Sequence, residues 1–372
     1  MFKEIGSEFN ITSGFNDITC NNLNNVEKDY HDCMYIRNGR EAIGFILDEI
    51  DLNTKFAILP SYICESMLEP FLNRGYSVEY FEVDKNFNPN IEEVKKLLNK
   101  NPDIIFVIDW FGMNKNQEIV SLVREKCENT KILADFTHSY FNSFSFIKPD
   151  FIIVSLRKWF ALPDGAIAIN CNHNFKNKLK FVNNSFYEKR KEAMLIKTRY
   201  LNCRQKNLKI KYRKLFLEAE RLLDGGKTIV GISPFSLSLI EKMDFKFMKT
   251  LEEKMEALAE KGKIAKLIKL ATSSKKYDER LAAIVNKEME SFECPFSFPI
   301  LLENERDKLQ LYLVQNEVYC PVLWPLPQYV YSKYKIPAYL SKNMLSIPCD
   351  QRYSINDMEY VADTINKFWG KN

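Results

Sequence analysis

The stretch SLRKWFALPDG, residues 155 to 165, decides how this chain is read. It is preceded by PDFIIVS and followed by AIAIN, two apolar runs with the length and composition of buried strands. Ser155, Arg157 and Lys158 therefore stand at the lip between two strands, whereas the other basic residues sit mostly on polar stretches. A lysine in that place is either the ordinary charged end of a strand or an amine held inside a site.

Working outward, the same kind of run recurs at FAIL (56–59), SVEYFEV (77–83), DIIFVID (103–109) and KILAD (131–135). Longer helical patterns lie between them. Residues 39–50 put Ala42, Ile43, Ile46, Leu47 and Ile50 on one face, and residues 91–100 and 116–128 repeat the pattern. Short apolar strands alternating with amphipathic helices imply an α/β fold: a mostly parallel, mixed sheet sandwiched by helices. Ligands in such sheets bind beyond the carboxyl ends of the strands. Asp109, Asp135 and Ser155 all fall at such ends.

From about residue 180 the pattern changes. Residues 186–224 read as one or two long basic helices stopped by DGG (224–226), and 237–270 as a charged helical region. Then come PFSFPILL (295–302), VYCPVLWPLP (318–327), MLSIPC (344–349) and a last amphipathic helix over 355–369. Strands, helices and several prolines there imply a smaller α+β C-terminal domain. The expected division is a large domain over 1–235 and a small one over 236–372.

At 372 residues and 46% hydrophobic, the chain can bury a large core. No window reaches the ~18 uninterrupted apolar residues a membrane helix needs, and MFKEIGSEFNITSG lacks the basic start and apolar run of a signal peptide. The nine cysteines are odd in number and contain no C-x-x-C, which reads as free thiols in a reducing cytoplasm. The three histidines, His31, His138 and His173, have no metal-ligand spacing, so no metal is expected. Residues 176–214 hold fourteen Lys/Arg against Glu188 and Glu192. That stretch reads as a solvated helix face or as a surface for a phosphate-bearing ligand. No module accompanies it that would indicate nucleic acid.

The chemistry-bearing residues gather at three places. Asp135 ends one strand and is followed by Thr137 and His138. Ser155 ends the next and is followed by Arg157 and Lys158. In RNGREAIGFIL, Asn38 and Gly39 open a helix whose free N–H groups suit a phosphate. A lysine beside a phosphate site, with a carboxylate on the neighbouring strand, fits pyridoxal 5'-phosphate. The amine forms the Schiff base, and the carboxylate keeps the pyridine nitrogen protonated.

On these residues the chain resembles the fold-type I pyridoxal-phosphate enzymes, and among them the DegT/DnrJ/EryC1/StrS sugar aminotransferases, over nearly its whole length. RNGREAIGFIL resembles the family's serine-glycine-threonine helix start. ILPSYICESMLEPFLNRGYSVEYFEVD resembles the segment that runs from an aromatic-bearing loop to G-x-x-P-x-x-x-D. FVIDWFGMN resembles its histidine-x-tyrosine-glycine strand end. ILADFTHSYF resembles its aspartate-alanine-alanine-glutamine/histidine motif, and SLRKWFALPDGAIAI its serine-to-lysine stretch.

The resemblance implies that Lys158 is the Schiff-base lysine, Asp135 the partner of the pyridine nitrogen, and His138 a neighbour of the ring toward its phenolic oxygen. It implies that Ser155 and the backbone of Gly39 and Arg40 hold the phosphate, and that the protein is a homodimer. Cys64 falls where many members carry the aromatic that stacks on the cofactor, so Tyr62 or His138 stands in for it. Pro163, Asp164 and Ala166 depart from the family's closing motif. Trp110 is a candidate for lining the substrate pocket, Arg352 for holding a carboxylate, and Arg157 has no assigned role. The activity implied is transfer of an amino group, from glutamate, to a keto-sugar linked to a nucleotide. Alternatives are the same cofactor acting on a small phosphorylated or keto substrate, by transamination, decarboxylation or carbon–sulfur cleavage, and a binding protein that keeps the fold without turnover.

Overall fold

The runs IIFVI, FIIV and AIAIN have no polar face to offer water, and the chain buries them from end to end. They are the middle of a seven-stranded sheet in the computed structural model of this protein, which describes residues 4–11, 32–50, 54–113, 115–140, 148–242, 296–350, 352–353 and 355–368. The strands are β1 (Asp32–Ile36), β2 (Phe56–Pro60), β3 (Ser77–Phe81), β4 (Ile104–Ile108), β5 (Lys131–Asp135), β6 (Phe151–Val154) and β7 (Ala166–Asn170). Their order across the sheet is β1-β7-β6-β5-β4-β2-β3. All neighbours run parallel except β7, which is antiparallel to both β1 and β6. The sheet is therefore mixed and mostly parallel, as the alternation of strands and helices implies. β1 is the strand that the sequence does not announce, because Asp32 and Cys33 interrupt its apolar run.

The connecting helices are α1 (Gly39–Glu49), α2 (Glu65–Asn73), α3 (Ile91–Leu98) and α4 (Gln117–Lys126). α1 starts where it does because Asn38 and Glu41 satisfy each other. Asn38 Oδ1 accepts from the Glu41 N–H at 3.1 Å, and Asn38 Nδ2 donates to Glu41 Oε1 at 2.6 Å. The buried Glu41 carboxylate is also gripped by Arg37 and by the Val230 N–H. The expected basic helices form an antiparallel pair, α5 (Ser185–Cys203) and α6 (Lys206–Glu220), packed on each other through Met194, Tyr200, Tyr212 and Phe216. α7 (Pro234–Lys242) begins the charged region; residues 243–270 of that expectation lie outside the described residues, as does His31.

In the C-terminal region β8 (Phe298–Leu301) pairs antiparallel with β9 (Met344–Ile347) beside helices over 306–315, 328–333, 335–343 and 355–368. The 318–327 run forms no strand beyond an isolated bridge from Val318 to Ile5, since its three prolines cannot donate to a ladder. That bridge fixes the N-terminal segment: Ile5 N–H donates to Glu317 O at 2.9 Å, and Tyr319 N–H to Ile5 O at 2.7 Å. Gly6 follows with φ +79°, and a Cβ there would lie 2.1 Å from Tyr319 O, so only glycine lets the segment pass. No described helix is long and apolar enough to cross a membrane.

Candidate functional site

Because β4, β5 and β6 are parallel, their carboxyl ends open on one edge of the sheet. β7 runs the other way, so its beginning, Pro163–Gly165, lies on that same edge. The stretch from Ser155 to Gly165 is thus a loop closed on itself, with Arg157 N–H donating to Gly165 O at 3.3 Å and Gly165 N–H to Arg37 O at 2.7 Å. Gly165 has φ +146°, and a side chain there would press on Leu162 and Ile232 at 3.3 Å.

Thr137 ties this loop to the end of β5. Its hydroxyl accepts from the Ser155 N–H at 3.0 Å, its carbonyl from Trp159 Nε1 at 2.6 Å, and its own N–H donates to Asp135 Oδ1 at 2.8 Å. The sequence places Thr137 beside Asp135 but assigns it no role, because hydroxyl residues at strand ends are common. Lys158 closes a short 3-10 turn, Leu156–Lys158, and is half-buried with its Nζ 6.0 Å from the centre of the Trp324 ring. Burial lowers its amine below the ordinary lysine range. The nearby Asp135 and Cys64 oppose that shift, and Arg157 adds to it. Burial raises Asp135 above the usual carboxylate range, against the pull of the Lys158 charge and the Thr137 hydrogen bonds.

His138 lies between the rings of Phe296, 4.3 Å away and nearly parallel, and Trp324, 5.2 Å away. Burial and the Lys158 charge push its imidazole well below the normal range, so it is neutral at neutral pH. Nδ1 faces the Phe111 N–H at 3.4 Å, which assigns the proton to Nε2. Nε2 is buried and has no protein partner among the described residues. Packed against Phe296 and Trp324, His138 lines neither cavity beside Lys158 and offers no open stacking face there.

Several other candidates go elsewhere. Tyr62 is fully buried. Its hydroxyl donates to Leu323 O and accepts from the Trp324 N–H at 3.1 Å, so it joins the sheet region to the C-terminal region and lines neither cavity beside Lys158. Trp110 is also core: it stacks on Phe87, and its Nε1 donates to Tyr62 O at 3.2 Å. Cys64 stays near the site at the start of α2, with Sγ 2.9 Å from Ser66 Oγ. Burial raises its thiol, partly offset by Lys158. Arg352 reaches the larger cavity, but its guanidinium forks onto Asp350 and donates to the Ser7 carbonyl.

Two cavities meet at Lys158. The smaller, of about 150 Å³, is lined by Asn38, Gly39 and Arg40 at the start of α1, by Ser66, and by Asp135, Thr137 and Ser155. The larger, of about 500 Å³, is walled by Gly6–Phe9 of the N-terminal segment, by Trp159 and Phe296, and by Ser297, Ser346 and Arg352. Arg157, Lys158 and Glu220 line both. The donor set of the smaller cavity fits the phosphate of pyridoxal phosphate. In α1 the Glu41 and Ala42 N–H groups are taken by Asn38, which leaves those of Gly39 and Arg40. Ser155 is a buried residue, and its hydroxyl has no protein partner among the described residues. The side chain of Arg40 is paired with Glu69, so its backbone is the part available. Asp135 fits the pyridine nitrogen of the cofactor's ring, whereas His138, although its Nε2 is buried without a protein partner among the described residues, lines neither cavity and so is not brought to the ring as the resemblance implies.

Much of the charge in the 176–214 stretch is spent internally. Lys178 pairs with Asp32, Lys189 with Glu218, Arg190 with Glu8 and Glu220, Lys209 with Glu4 and Glu317, and Lys211 with Glu192. Most of these acids lie far away in the sequence, so no local pattern showed the pairing.

No protein-family model and no curated protein matches the sequence. Solved structures do resemble it. DesV of S. venezuelae, solved in complex with a ketimine intermediate, superposes with a TM-score of 0.59 at 11% identity, over 92% of this chain and 86% of that one. Helicobacter pylori PseC, an aminotransferase involved in the biosynthesis of pseudoaminic acid, gives 0.58 at 13%, over 91% and 86%. A DegT DnrJ EryC1 StrS aminotransferase from Brucella abortus gives 0.56 at 16%, over 92% and 87%. At these identities the likeness establishes the fold: the chain is built as these aminotransferases are built.

Proposed function

We propose that the chain is a pyridoxal-phosphate-dependent aminotransferase that moves an amino group from glutamate to a keto-sugar linked to a nucleotide, and that it works as a homodimer. The observation that carries the reading is the placement of Lys158 and Asp135 at the ends of neighbouring parallel strands, on a cavity formed by the start of α1 and Ser155. Lys158 would anchor the cofactor's aldehyde. The Gly39 and Arg40 N–H groups and the Ser155 hydroxyl would hold its phosphate, and Asp135 its pyridine nitrogen. Bound there, the cofactor supplies an electron sink for the pair of electrons left when a proton departs from the substrate carbon.

The chain's own residues do the rest. A lowered amine at Lys158 is neutral for more of the time at neutral pH, and so serves as nucleophile and as proton-accepting base. The Asp135 carboxylate would hold the pyridine nitrogen and favour a proton on it. His138 would bring no charge, and its partnerless Nε2–H would be a donor beside the site. The larger cavity, of about 500 Å³, is in the size range of sites for ligands larger than a single sugar ring. For the homodimer, Ile210 and Leu217 lie seven residues apart on α6 and are both largely exposed, an apolar stripe that a second copy would cover.

The test is direct. The protein is loaded with pyridoxal phosphate and mixed with glutamate, and 2-oxoglutarate is measured together with the amino form of the cofactor. Their appearance in equal amounts supports transamination, and release of carbon dioxide or of a thiol points to the other chemistries. Regeneration of the aldehyde form by a keto-sugar nucleotide but not by the free keto-sugar supports the nucleotide link. Sedimentation tests the dimer.

A further inference from the structure

Arg157 is the residue between the two cavities with no role in the account so far. Its guanidinium donates through Nη1 to Glu220 Oε1 at 2.8 Å and lies 5.5 Å from the centre of the Phe186 ring. Nε and Nη2 have no protein acceptor among the described residues. Glu220 is placed differently. The same Oε1 also receives Arg190 Nη1 at 3.0 Å, and each nitrogen of Arg190 is engaged, with Nε on Pro163 O and Nη2 on Glu8. Glu220 therefore keeps a cationic partner when Arg157 turns away, and Arg157 is the arginine of the pair that is free to take another anion.

The smaller cavity shows where that anion belongs. Arg157 lines it together with the unbonded Gly39 and Arg40 N–H groups and with Ser155, a residue more than nine-tenths buried whose hydroxyl has no hydrogen bond among the described residues. The Glu220 carboxylate lines it too, and its repulsion has to be offset for a phosphate to enter. A planar fork with unused donors suits a phosphate better than a point charge does. We propose that Arg157 is a phosphate ligand: its unused donors close the cradle opened by α1 and Ser155, while Arg190 holds Glu220 aside. The inference rests on the cofactor reading of the same site and adds a residue to it.

The experiment titrates the apo protein with three probes: pyridoxal 5'-phosphate and pyridoxal, both followed by visible absorption, and inorganic phosphate, followed by thermal shift. Arg157→Gln is expected to weaken pyridoxal phosphate roughly ten- to a hundred-fold, the span of a charge-assisted hydrogen bond. Pyridoxal binding should stay unchanged, and the stabilisation by inorganic phosphate should be lost. Arg157→Lys, which keeps the charge and loses the fork, should fall between the two. Equal weakening of pyridoxal and its phosphate in Arg157→Gln overturns the proposal, as does unchanged binding of both. So does unchanged cofactor affinity with a raised KM for glutamate, which would give the guanidinium to the substrate's carboxylate. A wild-type protein that takes up neither aldehyde, yet is stabilised by phosphate through Arg157, would sink the cofactor reading and leave the cradle standing.

Discussion

Replacing Glu4 should loosen the wall of the larger cavity without touching Lys158. Glu4 is fully buried, and its carboxylate accepts from the Tyr212 hydroxyl at 2.8 and 2.9 Å and from Lys209 Nζ at 3.0 Å, with Lys197 Nζ at 3.7 Å. It is the anchor of the segment whose next residues, Gly6 to Phe9, face the cavity. Burial alone would raise its carboxyl, but Lys209, Lys197 and Tyr212 together outweigh that and hold it below the usual range.

Removing one partner from such a buried pair costs about 3–5 kcal/mol, because the other charge is left stranded. Lys197 is that charge: burial and then Arg352 already draw its amine down to about 8 with Glu4 in place. It can shed its proton when Glu4 is gone, which keeps the loss within that range. Glu4→Gln keeps an acceptor for Tyr212 and should cost roughly 1.5–3 kcal/mol, the worth of hydrogen bonds to a charged group. Local opening of the segment should therefore become about 10²- to nearly 10⁴-fold more frequent in Glu4→Ala. Amide hydrogen exchange over residues 4–9 and limited proteolysis would read this out. The KM for the acceptor should rise, while the affinity for pyridoxal phosphate stays the same. Unchanged exchange in Glu4→Ala, or equal effects of the Ala and Gln variants, would refute the reasoning.

Other expectations follow from the same geometry. Thr137→Val keeps the shape but leaves the buried Ser155 N–H without its acceptor. It should cost about 1–3 kcal/mol in a chemical denaturation curve and weaken cofactor binding with it. Asp135→Asn should leave the melting curve nearly intact and reduce turnover by on the order of 10²-fold or more, as a steady-state assay would show. Glu8, whose side chain is half exposed, is drawn down to about 2 by the neighbouring Arg190 and Arg157 guanidinium groups. A depressed carboxyl gives stability that is complete above the unfolded value near ~4.3 and is lost as pH falls toward about 2. Acid unfolding of Glu8→Gln should therefore lose part of the wild type's dependence on pH in that window.

The readable part of this molecule is the part governed by local pattern. Apolar runs mark β2 and β4 to β7 because strands covered on both faces are almost wholly apolar, while β3 is a partly exposed edge strand that carries Ser77 and Glu79. Lys158, Asp135, Ser155 and the start of α1 stand out in the sequence because each closes a strand or opens a helix, and the sheet gathers those ends around one cavity, while His138 lines neither cavity. What escaped depends on contacts between distant residues. Tyr62 and Cys64 are two residues apart, yet one bonds to the chain near Leu323 and the other stays beside Lys158. Arg352 looked available for a carboxylate until Asp350 and the carbonyl of Ser7 were seen to hold it. The basic helices looked like an open surface because their acids, Glu4, Glu8 and Glu317 among them, come from both ends of the chain.

The most direct measurement concerns the amine at position 158. Purified protein is mixed with pyridoxal phosphate, reduced with borohydride, digested and examined by mass spectrometry. The account requires a yellow protein whose reduced adduct lies on Lys158, with neither colour nor adduct in Lys158→Ala. A colourless wild-type protein, or an adduct spread over surface lysines with Lys158 unmodified, would contradict it.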